Sequence, residues 1–150
     1  MRQRLCTAVA AVVVGLSAVT ACAGPSRTED DYRHKVANTA ETMSGIVGTV
    51  QVALKASSRD RVPAPYLSVT LAEADDDASA VVDTFDSVQP PDSASDELRS
   101  KLDDVLQQTV STLDDLRIAV RRGHLDELPK LAQPLTGLSD KLEKLQEVAG

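Results

Sequence analysis

Apolar residues recur along the chain at alternating three- and four-residue steps, and four stretches hold that rhythm long enough to predict amphipathic helices. The first spans about 30–57, with Tyr32, Val36, Ala40, Met43, Val47, Val50 and Leu54 on one face. Glu29, Asp30 and Asp31 suit its positive N-terminal end, and Lys55 and Arg59 its C-terminal end. The second spans about 66–88 through Leu67, Leu71, Ala74, Ala78, Val81, Phe85 and Val88, and it follows a break containing Pro63 and Pro65. Pro90 and Pro91 close it, because the residue before a proline is steered away from the helical region.

A hydroxyl at Ser93 or Ser95 can cap a third helix, whose seam is Leu98, Leu102, Leu106, Thr109, Leu113, Leu116 and Val120. Gly123 suits the left-handed position that ends it. The fourth carries Leu128, Leu131, Leu135, Leu138, Leu142, Leu145 and Ala149. Pro129 fits a first turn, whereas Pro134 either kinks this helix or delays its start, so residues 135–148 are its firmest part. Short connections between long helices make antiparallel neighbours, and the expected architecture is all-α, an up-down-up-down four-helix bundle over residues 32–150.

Residues 1–21 follow a different pattern. Arg2 and Arg4 precede an apolar centre at 5–19, and small residues lead to Val19-Thr20-Ala21-Cys22. That is the three-part plan of a bacterial export signal. Its ending resembles the lipobox of bacterial lipoproteins, where an aliphatic residue and two small ones precede the cysteine that is lipidated and becomes residue one. The resemblance implies a cleaved signal peptide at 1–21, a lipid anchor on Cys22, a tether over 22–31 and residence on the outer face of the cell membrane. In signal style and composition the chain is similar to the small lipoproteins of high-GC Gram-positive bacteria. Two other readings use the same residues. Ala21-Cys22-Ala23 is also a small-x-small cleavage site, which gives a secreted protein, and 5–23 approaches the length of a membrane span, although Thr7, Ser17 and Thr20 dilute it.

Beyond Arg4, 14 basic residues face 23 acidic ones, a net charge of −9. Neutralising phosphates needs a basic face, so this balance disfavours nucleic acid as a partner. Cys6 leaves with the signal and lipid would block Cys22, so the exported domain depends on packing rather than disulfides. Aromatics are limited to Tyr32, Tyr66 and Phe85, which is poor for carbohydrate stacking or an aromatic cage.

Chemistry finds few footholds. A di-iron site needs paired Glu-x-x-His motifs, whereas His34 and His124 are expected at opposite ends of the bundle and off its seams. Asp75-Asp76-Asp77 lacks the glycine and the turn of a calcium loop and reads as a solvated acidic face. Haem attachment needs Cys-x-x-Cys-His, and a serine hydrolase of the Gly-x-Ser-x-Gly type needs that motif; the chain contains neither. The expectation is a protein that is not an enzyme and that uses no metal and no cofactor.

Two features stand out. Val62 to Leu98 holds nine acids and no Lys or Arg, while Lys55, Arg59, Arg61, Arg117, Arg121 and Arg122 gather near the opposite helix ends. Pairing with acids on the second helix and with helix C-terminal dipoles accounts for them; the competing account is a basic recognition surface at the membrane-distal tip. The other feature is Thr42 to Leu54, thirteen residues without a charge. With Met43, Val47, Val50 and Leu54 inward, Gly45, Gly48, Thr49 and Val52 face outward, as a docking surface or as part of a wider buried face. The function expected is an extracytoplasmic binding or accessory module, anchored by lipid and engaging a protein partner in or on the membrane. The alternative is a carrier holding a lipid or other apolar ligand within the bundle, with room made at Pro134, Gly45 and Gly48.

Overall fold

Residues 28–150 are described by the computed structural model, and every regular element among them is helical. Four long helices, α1 (Glu29–Ser57), α2 (Ala64–Asp86), α3 (Ser93–Arg122) and α5 (Gln133–Ala149), are joined by short connections, the last of which holds a single turn, α4 (Leu128–Leu131). The expected signal peptide and lipobox, with Cys22, lie outside the described residues. Among the described residues no helix is long and apolar enough to cross a membrane.

Local chemistry sets the helix limits. α1 opens at Glu29, where Thr28 Oγ1 accepts a hydrogen bond from Asp31 N at 3.1 Å and three acids occupy the first turn. α2 begins at Ala64, two residues ahead of the expected start, because Pro65 falls in the first turn, where a missing N–H costs nothing. The cap of α3 is Asp92 rather than Ser93 or Ser95: Asp92 Oδ1 accepts from Ser95 N at 2.8 Å. A carboxylate there accepts a charge-assisted bond and also meets the positive helix end. Gly123 ends α3 at φ 79, as its sequence position suggests. Of the two options at Pro134, the delayed start holds: Ala132 joins α4 to α5, and both Pro129 and Pro134 sit in first turns.

The seams meet in one core. Tyr32, Val36, Ala40, Met43, Val47 and Val50 of α1 are wholly enclosed, as are Leu67, Leu71 and Ala78 of α2, Leu102, Leu113 and Leu116 of α3, and Leu142 of α5. On α2 the seam steps from Ala78 to Val82, leaving Val81 half-buried. α1 packs against α2 and α5, and α3 likewise packs against α2 and α5. Arg99 ties the end of α2 to α3: its guanidinium donates to Val88 O at 2.6 Å, pairs with Asp103 at 3.4 Å and Asp86 at 3.5 Å, and lies 5.7 Å from the centre of the Phe85 ring. Arg33 donates to the carbonyl of Val148, holding the start of α1 against the end of α5.

Candidate functional site

The uncharged stretch of α1 divides as its helical period requires. Met43, Val47 and Val50 are buried, Gly45 and Thr49 are exposed, Gly48 is half-buried, and Val52 is 69% exposed. Thr49 Oγ1 donates to Gly45 O at 3.0 Å, so this hydroxyl is satisfied within its own helix. Across from these residues stand Val62 of the α1–α2 connection and Tyr66 and Thr70 of α2, with Tyr66 54% exposed. Together they line a groove of about 650 Å³ that contains no charged residue. Gly48 and Val52 also border a second groove of about 680 Å³ toward α5, so Val52 stands on a ridge between two hollows.

Nothing inside the molecule requires these glycines. A Cβ built on Gly45 or Gly48 meets no atom within 4 Å, and neither residue has a positive φ. Each nevertheless costs an α-helix interior about 1 kcal/mol relative to alanine. Alanine would be cheaper for folding alone, so the surface is smoother than the fold demands.

The remaining sequence candidates are dispersed. His34 is on α1, and His124 follows α3 with its Nδ1 3.7 Å from Glu127 Oε1. Among the described residues no group of three or more His, Cys, Asp and Glu is placed to hold a metal ion. The Asp75-Asp76-Asp77 run corrects one expectation. Asp76 and Asp77 are exposed, but Asp75 is buried, with Oδ2 3.1 Å from Arg117 Nε, and Arg117 also bonds Asp114 Oδ1 at 2.6 Å. Burial raises the Asp75 carboxyl above its ordinary value although Arg117 acts to lower it. The sign was present in the sequence: Asp75 is four residues after Leu71 and three before Ala78, on the seam itself.

Sequence reading missed the wall that α2 gives the groove, because it depends on how the two helices lie together. It also missed a cleft of about 860 Å³ at the bundle end, where the connection after α1 meets residues 125–132. No protein-family model matches the chain, and no curated protein or solved structure matches it either.

Proposed function

We propose that the protein is a membrane-anchored extracytoplasmic lipoprotein that acts as a non-enzymatic binding module, receiving a helix of a membrane-associated partner protein in the groove between α1 and α2. The observation that carries this reading is the pairing of two glycines in open space with an exposed valine ridge, along a groove lined by no charged residue. Glycine lets a helix backbone approach closely, and Val52 and Tyr66 supply the apolar contact. A second copy of the chain is the weaker occupant, since net charges of −9 repel as two copies approach. A helix with an uncharged contact face meets no such barrier.

Geometry narrows the partner further. The short connections and the packing of α1 and α3 each against α2 and α5 support helices that alternate in direction, up-down-up-down. If α1 rises from the membrane, Gly45 lies about 24 Å and Val52 about 35 Å beyond its start. The partner's contacting helix therefore belongs to an extramembrane part. Cys22→Ser should abolish acyl labelling and shift the protein out of the membrane fraction; unchanged labelling and fractionation would refute the anchor. Val52→Arg should abolish association while helicity and melting temperature stay unchanged, and a loss of stability would instead place this face inside the fold.

A further inference from the structure

The cleft at the bundle end combines apolar walls with cations at its rim. Its walls are apolar, formed by Leu54, Val62, Leu125, Leu128, Pro129 and Ala132, with Leu125 40% exposed. Its rim carries Lys55 and Arg61, with Asp60 as the one acid in the lining. Arg59 and Lys130 lie in the same two chain segments, as do the acids Asp126 and Glu127, and Arg121 and Arg122 end α3. Among the described residues none of these six cations has an ion pair, nor do Lys141 and Lys144 of α5, whereas Arg33, Arg99, Lys101 and Arg117 are paired with carboxylates.

Lys55 lies in the last turn of α1 and Arg121 and Arg122 in that of α3, where they complement the negative helix ends without side-chain hydrogen bonds to the final carbonyls. The final carbonyls are taken by backbone N–H groups, Ala56 O by Arg61 N at 3.0 Å and Ala119 O by His124 N at 2.9 Å. Of the cations expected to pair with acids of α2, Arg117 does so through Asp75, and the other five have no such partner for a geometric reason. α2 starts at this end, and its first acid, Glu73, is nine residues in, about 14 Å along the axis. A positive rim thus persists on a strongly acidic molecule.

We infer that this cleft binds a free single-chain amphipathic anion, with its apolar chain between Leu54, Leu125 and Leu128 and its phosphate or carboxylate head at Lys55 and Arg61. The volume is that of a small-molecule site, and unpaired cations over an apolar wall complement such a ligand at both ends. The cleft shares Val62 with the groove between α1 and α2, but Lys55, Arg61 and Leu125 line the cleft and not that groove.

The test uses the full chain in zwitterionic lipid nanodiscs, titrated calorimetrically with dodecyl phosphate after subtraction of empty nanodiscs. Saturable binding of one molecule per chain is expected, weakened by at least about tenfold in Lys55→Gln/Arg61→Gln and in Leu125→Asp. All three positions are exposed, so the variants should keep the wild-type melting temperature; weakening of wild-type binding by added salt reads the rim charge without any substitution. Lack of saturable binding, unaltered affinity in the variants together with insensitivity to salt, or equal affinity for dodecanol would overturn the assignment. Equal affinity for inorganic phosphate would reduce the site to an anion patch and overturn it too. Loss of dodecyl phosphate binding in nanodiscs doped with phosphatidylglycerol would assign the cleft to bilayer headgroups instead of a free ligand.

Discussion

Asp75 and Arg117 join α2 to α3 with Oδ2 and Nε 3.1 Å apart, and burial of the carboxyl outweighs the attraction of the guanidinium. The folded Asp75 therefore holds its proton to higher pH than the unfolded chain does. Its contribution to stability is fully present below the ordinary carboxylate value and declines as pH rises through the raised one. Asp75→Asn should consequently melt no lower than wild type at neutral pH. Arg117→Gln should melt lower there, with the gap closing on acidification as Asp75 takes up its proton. Thermal unfolding followed by circular dichroism across the acidic range checks both.

Tyr32 is wholly enclosed beside Phe85, with ring centroids 6.3 Å apart, and its hydroxyl finds no hydrogen-bond partner among the described residues. Burial pushes its phenol up to about 12. An unpartnered buried hydroxyl costs more than the methyl-sized space it fills, so Tyr32→Phe should stabilise the fold by about 1 kcal/mol in denaturant unfolding. In wild type, stability should fall as pH climbs from the ordinary tyrosine value of 10.0 toward about 12, and Tyr32→Phe should remove that decline.

Three glycines with equally open surroundings should respond in opposite directions. Gly45→Ala and Gly48→Ala place a methyl group in free space on a helix and should each add about 1 kcal/mol to stability. Gly123→Ala has the same space but a φ of 79, and the left-handed strain should cost about 1 kcal/mol. Chemical denaturation of the three variants separates backbone conformation from crowding. On the docking account the two stabilised variants should also lose partner affinity, because the methyl groups fill the notches in the groove.

The period of the apolar residues made most of the fold legible. Met43, Val47 and Val50 point inward, and that alone turns Gly45, Thr49 and Val52 outward. What the period left open was settled by competition between near-equal choices: Val81 and Val82 both continue the α2 seam from Ala78, and Asp92 outbids two neighbouring serines for the α3 cap. Features made by two elements at once were not legible. Tyr66 and Thr70 become a groove wall only because α2 lies beside α1, and Lys55 and Arg61 find no partner on α2 because its register carries the acids away from that end.

The central claim is that the α1–α2 groove holds a helix of a membrane-associated protein. The most direct measurement places a photo-crosslinking amino acid at Val52 of the full chain in living cells, with Asp104 on the exposed face of α3 as the comparison position. One discrete adduct with a membrane protein is expected from position 52 and none from position 104, and Gly48→Leu should abolish it. No adduct from position 52, an adduct with a second copy of the chain, an adduct with lipid alone, or equal labelling from both positions would contradict the account.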